Sequence, residues 1–242
     1  MNDRPVRPAP PPPYRRPWSL AGALERSLAL ASMVALGWLL SLAMEWGGMA
    51  FGLWDEPGAG HSTRLLQIEL TWLRQDLATL NGHSRLLDWT GEGARLAYRW
   101  TGLEGLITWV VTPGPHEPSG VAAVRRTLLH VGDYLLAAAQ ITQLVGVRLA
   151  VVLLSLPAFA VAAVMGVVDG LVQRDLRRFG GAVESSFLYH HLKKLLTPLI
   201  GVPILVYLAA PWPLHPTAVF IPPALAFGWI VQRTVARFKK YL

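Results

Sequence analysis

Apolar positions follow two kinds of pattern along this chain. In four places they run on almost without interruption: Ser27 to Trp54, Leu149 to Val168, Leu195 to Ala210 and Thr217 to Val231. Roughly 17–25 apolar residues, at about 1.5 Å rise each, cross a bilayer, so the first two runs are long enough to span it. The last two reach across only if extended through Phe187–Lys194 and Gln232–Phe238, where Lys193, Lys194, Arg233 and Arg237 would snorkel to the headgroups. The alternative is a shallow hairpin that stays within one leaflet. The break between them, PWPLHP, is fixed, because its three prolines cannot continue a helix.

Between the first and second runs the pattern becomes periodic. Leu66, Leu70, Leu73, Leu77 and Leu80 share one helical face, with Ser62 or Thr63 as the expected start and Asn81-Gly82 as the expected stop. The spacing recurs at Leu96, Trp100, Leu103, Ile107 and Val110. It recurs again at Val124, Leu128, Val131, Leu135, Ala138 and Val145, with Thr142 as a polar intruder. The stretch TPGPHEPSG separates the second helix from the third. Each stripe lasts only a few turns, which predicts a small helical bundle and not a long coiled coil. The third helix is expected to run directly into the second span. A core this small is marginal alone and is expected to lean on the bilayer or on a partner.

Composition agrees with the long runs. Of 242 residues, 52% are hydrophobic and 15% charged, and mean hydropathy is +0.37, whereas soluble domains carry about 25% charged residues. The chain has no cysteine, which excludes disulfides, thiolate metal sites and a cysteine nucleophile. The expected fold class is an all-α integral membrane protein, with about four transmembrane helices and a small helical periplasmic bundle between spans one and two.

Charge sets the expected orientation. Most basic residues fall in three segments: Arg4, Arg7, Arg15, Arg16 and Arg26; Arg174, Arg177, Arg178, Lys193 and Lys194; and Arg233, Arg237, Lys239 and Lys240. Four spans place all three on one side, which the positive-inside rule makes the cytosol. The segment Asp55–Arg148 is nearly balanced in charge and is expected outside, in a periplasm. The resulting organisation is a Pro-rich disordered cytosolic tail to residue 23, span one at 24–54 and a periplasmic helical segment at 55–148. Span two follows at 149–168, a basic cytosolic loop at 169–194, a hairpin of spans three and four at 195–231, and a basic cytosolic tail at 232–242. Span one is read as an uncleaved anchor, because MEWGGMAFGLW offers no small-x-small cleavage site close behind it. The localisation expected is a bacterial inner membrane with both termini cytosolic.

Candidate chemistry concentrates in QRDLRRFGGAVESSFLYHHLKK. Arg174 lies three and four residues before Arg177 and Arg178, so three guanidinium groups share a helical face that Asp175 balances only in part. Such a face calls for external anions, either lipid phosphates or acidic side chains of a partner. Tyr189, His190, Lys193 and Lys194 extend the contact surface. Gly180-Gly181 is expected to end one helix and Ser185 or Ser186 to cap the next. Adjacent His190 and His191 point about 100° apart on a helix and do not chelate one ion. The other histidines lack ligand spacing, and neither a phosphate-cradling GxxxxGK[ST] loop nor a G-x-S-x-G elbow is present. No catalytic residue, metal or cofactor is expected, and direct nucleic-acid binding is disfavoured because the basic pieces are short. Glu45, next to Trp46, falls near the outer edge of span one and is expected at the interface, with a buried contact between spans as the alternative. Asp169, at the inner end of span two, is read the same way.

The run VVDGLVQRDLRRFGGAVESSFLYHHLKKLLTP, after an anchor and a helical external segment, resembles the integrating conjugative element membrane protein family. The resemblance extends over Leu24 to Lys240, is most specific from Asp169 to His190, and leaves out the polyproline tail. It implies an inner-membrane component of a type IV secretion-like conjugative DNA-transfer apparatus. The function expected is an accessory, scaffolding subunit that meets the proteins of that apparatus and whose basic island touches either lipid or the coupling ATPase. A homo-oligomer is compatible with it. It supplies no catalytic or ligand residues. A membrane carrier or channel for a small solute is the competing reading.

Overall fold

The computed structural model describes residues 20–78, 83–114, 116–179 and 186–237, with the side chains of 83, 84, 177–179, 186–191 and 193 outside the description. The described residues form eight helices and no strand: α1 Leu20–Phe51, α2 Gly60–Ala78, α3 His83–Trp100, α4 Leu103–Val111, α5 Ser119–His130, α6 Gly132–Phe179, α7 Ser186–Ala209 and α8 Pro216–Ala236. Among them α1, α6 and α8 are long and apolar enough to cross a membrane, while α7 contributes a shorter apolar stretch, Lys194–Ala209.

Helix α6 is the axis of the molecule. It is 48 residues long, or about 72 Å at 1.5 Å per residue, and every other helix touches it. Helix α1 runs against it in the opposite sense, pairing Trp38 with Thr142 and Trp46 with the Tyr134 carbonyl. Helix α2 runs in the same sense, matching Ser62 to Gln140 and Glu69 to Arg148. Helix α7 lies between α1 and α8.

The contact between α6 and α8 rests on residues without side-chain bulk. Ala162, Gly166 and Gly170 form a small-residue ridge on α6 that meets Gly228 and Gln232 of α8. A Cβ at Gly166 would sit 2.3 Å from the Gly228 carbonyl oxygen. Such ridges let helix backbones approach where the surrounding medium supplies little drive for association. Gly93 and Gly146 do the same for α3 against α6.

Two expected helices are subdivided. The stripe Leu96–Val110 breaks at Gly102, whose φ of +74° suits glycine, and so becomes the end of α3 and all of α4. The stripe Val124–Val145 breaks at Val131, so only its second part is continuous with the apolar run of α6. Nor do the striped helices form a core among themselves alone. Leu73 and Leu77 share one core with Val145, Val151 and Val152 of α6, Tyr207 and Leu208 of α7 and Phe220 of α8. Helix α6 thus extends well beyond the apolar run at Leu149–Val168 and supplies the surface on which α2 and α3 assemble. The break PWPLHP ends α7 at Ala209, and its last proline opens α8, where a missing N–H costs nothing. Helix α6 ends at Phe179 and α7 begins at Ser186, on either side of the expected Gly180-Gly181 stop; that pair and Ser185 lie outside the described residues, as does Asn81-Gly82.

Candidate functional site

Arg148 is fully buried. It projects from α6 at the level where α7 ends, and its Nε donates to both carboxylate oxygens of Glu69 on α2, at 3.1 Å each. Its Nη1 donates to the carbonyls of Ala210, at 2.8 Å, and Leu208, at 3.3 Å, and its Nη2 to that of Trp212, at 3.3 Å. The Tyr207 ring lies 5.3 Å from the guanidinium carbon. The last carbonyls of a helix have no partner within it and carry its negative pole, so a guanidinium satisfies both needs. Glu69 in turn accepts the Leu214 N–H. Burial pushes its carboxyl above the ordinary value, with desolvation outweighing the Arg148 partner. His215 adds an outer clasp, 3.4 Å from Asp76 and beside the Trp72 ring. One arginine thereby ties α2, α6 and the α7–α8 break together.

A second polar layer lies toward the start of α6. Glu45, fully buried on α1, pairs through Oε2 with His61 Nδ1 on α2 at 2.7 Å. The Trp54 ring stacks on His61 with centroids 3.9 Å apart, and its indole N–H donates to the Glu45 carbonyl. Gly48 makes this possible, since a Cβ there would collide with the Trp54 ring. Beside it, Ser62 donates to Gln140, and Gln140 donates to Thr63. Ser62 or Thr63 is the expected cap of α2; instead the Thr63 hydroxyl donates to the Ala59 carbonyl, and the Ser62 proton goes to Gln140. Two atoms of this layer are buried without a partner, Glu45 Oε1 and, one turn earlier, Ser41 Oγ.

The expected site residues divide accordingly. Glu45 is not at an exposed interface, because α2 folds back over it and supplies His61. Its buried contact is with α2 and not with another apolar span. Asp169 is at the surface, accepting from Gln232 at 2.9 Å. Arg174 is half-buried and Lys194 exposed, with no carboxylate partner recorded for either among the described residues. The side chains of Arg177, Arg178, Tyr189, His190 and Lys193 lie outside the described residues. Among those described, no three His, Asp or Glu side chains converge as metal ligands.

Arg148, Glu69 and His61 escaped the sequence reading, although two left a trace. Glu69 sits four residues after Leu65 and four before Leu73, on the leucine face itself. Arg148 sits in the same relation to Leu144 and Val152 on α6. A charge of each sign on two apolar stripes signals a buried pair. His61 left no such trace, because the fold of the chain after Trp54 is what brings it back to Glu45.

The chemistry available is ionic and structural: the Arg148–Glu69 pair, removed from water, holds α2, α6 and the α7–α8 break in register. Comparison with known proteins supports a conjugation-related family and adds nothing on individual residues. Neither the curated proteins nor the solved structures contain a match to this chain. A protein-family model described as "IncC plasmid conjugative DNA transfer protein DtrJ-like" matches residues 53–239. That stretch covers α2 through α8, more than three quarters of the sequence, including Arg148, Glu69 and the basic segment after α6. The chain belongs to the DtrJ-like family of conjugative DNA transfer proteins.

Proposed function

We propose that this protein is an accessory, non-enzymatic scaffold of a conjugative apparatus, anchored in the bacterial inner membrane. The observation that carries the reading is how its buried ionic groups are used. Arg148 and Glu69 are spent on each other and on the α7–α8 break, as suits a rigid platform better than a moving carrier or a catalyst. Helices α1, α6 and α8 supply three spans, and α7, antiparallel beside α8, supplies a fourth when extended through Lys194. Helices α2–α5 then face the periplasm, and the basic segment Arg174–Lys194 faces the cytosol with both termini.

On this reading Arg174, Arg177, Arg178, Tyr189 and His190 meet acidic side chains of the transfer machinery, such as the coupling ATPase, or the lipid surface. The apparatus is of the type IV secretion kind, carried by an integrating conjugative element as the sequence resemblance implies. Charge reversal at Arg174, Arg177 and Arg178 should lower DNA transfer between cells at unchanged protein level, and pull-down in mild detergent should recover transfer proteins. Transfer at the normal rate would remove the basic segment from the mechanism.

One observation favours the second reading, a carrier or channel. Glu45 Oε1 and Ser41 Oγ are buried and unpartnered within an apolar helix, where ionisable groups often mark a solute path. Solute flux in proteoliposomes that Glu45→Gln abolishes would establish it in place of the scaffold.

A further inference from the structure

The seam between α6 and α8 carries a feature unrelated to the Arg148 layer. On one side of the glycine contact runs a largely apolar groove of 500 Å³, floored by Met165, Val168, Leu225 and Trp229. All four side chains are more than half exposed. Along the same side, toward the C-terminal ends of both helices, lies a cavity of 360 Å³ lined by Gln173, Arg233 and Arg237. The register sets the groove and the cavity end to end along the seam. Leu225, Trp229, Arg233 and Arg237 follow at four-residue steps on α8, as Met165, Asp169 and Gln173 do on α6. The groove is largely apolar, and the cavity at its mouth is basic.

Among the described residues neither Arg233 nor Arg237 has a carboxylate partner; Arg233 lies over the Trp229 ring, 5.5 Å from its centroid. Among the described residues the groove is lined by a single carboxylate, Asp169, which is held by the Gln232 amide. On the adjoining turn of α6, Asp175 is exposed and Arg174 adds a further positive charge. Two guanidinium groups and an amide in one mouth match a phosphodiester, to which arginine offers paired N–H donors.

We propose that α6 and α8 form a binding site for one anionic phospholipid. Its phosphodiester sits between Arg233 and Arg237, and an acyl chain lies along Met165, Leu225 and Trp229. The proposal rests on the reading of α6 and α8 as membrane spans, with the mouth at the headgroup level of the cytoplasmic leaflet. The close glycine packing creates the groove, and the outer turns of the two helices provide its charged rim.

The test uses the full chain, purified in a neutral detergent and examined by native mass spectrometry. Phosphatidylglycerol and phosphatidylcholine of identical acyl chains are added in turn. Phosphatidylglycerol should be retained roughly tenfold more than phosphatidylcholine, and Arg233→Gln with Arg237→Gln should remove that preference. Met165→Trp, which fills the apolar part and leaves the charges, should weaken retention of both lipids. Equal retention of the two lipids by the unmodified chain, or an unchanged preference in the double variant, would overturn the site. So would displacement of phosphatidylglycerol by an equal concentration of glycerol 3-phosphate, which would show that the head alone is bound. Alkaline carbonate extraction of membranes separates the two levels: a chain that stays in the membrane but lacks lipid preference sinks only the lipid site. A chain released into solution sinks the spanning reading and the site with it.

Discussion

Replacing Arg148 by methionine is the sharpest probe of how this fold is held together. The substitution keeps most of the stem and deletes the guanidinium, leaving Glu69 buried with only the Leu214 N–H. Breaking a buried pair from one side typically costs about 3–5 kcal/mol. The Leu208 and Ala210 carbonyls lose their donor in the buried end of α7, adding about 1 kcal/mol or more. The total, about 4–6 kcal/mol, is a large part of the roughly 5–15 kcal/mol that keeps proteins folded. For a chain of this length it corresponds to a fall in melting temperature on the order of 10–20 °C. Thermal unfolding in mild detergent measures it. The double variant Arg148→Met with Glu69→Leu leaves no unpaired charge and should recover more than half of the loss, since apolar replacements of buried pairs are often neutral. Lowering the pH should also shrink the deficit of the single variant, because Glu69 can then become neutral. A single variant that melts with the wild type would refute the reasoning, as would a double variant no better than the single.

The position of the Glu69 carboxyl gives a second expectation, with its sign fixed by the direction of the shift. A raised native value means that the folded protein binds this proton more tightly than the unfolded chain does. Stability should therefore fall as pH rises from the ordinary carboxylate value through the raised one, then level off, and Glu69→Gln should flatten that slope in pH-dependent melting curves. At the α6–α8 contact, Gly166→Ala brings a methyl against the Gly228 carbonyl and should cost on the order of 1–3 kcal/mol. Gly105→Ala, which meets nothing within 4 Å, should be neutral or slightly stabilising in the same melt. Because the chain lacks cysteine, single cysteines report sidedness cleanly: in intact spheroplasts an impermeant thiol reagent should label Gly114→Cys and spare Asp175→Cys. The reverse pattern would invert the proposed orientation.

The helices were largely legible in the sequence, because each depends on local pattern. Apolar runs predict α1 and the second part of α6. The leucine spacing predicts α2, and PWPLHP predicts where α7 must stop and α8 begin. The break at Gly102 was not legible, since the apolar spacing continues across it and a lone glycine is tolerated in many helices. The burial of Glu45 was not legible for a related reason. Position along a helix predicts depth, but not whether a later segment will fold over the residue and pair with it.

By itself, then, the sequence determined the all-helical class, the apolar helices and the clustering of basic residues, all properties of neighbours along the chain. Only the tertiary structure decided that Arg148 meets Glu69 across 79 positions, that Glu45 meets His61, and that Ala162 and Gly166 face Gly228 while Gly170 faces Gln232. Pairing of buried charges and of small surfaces depends on the register between helices. That register is set by the packing of whole faces, and no single stretch of sequence carries it.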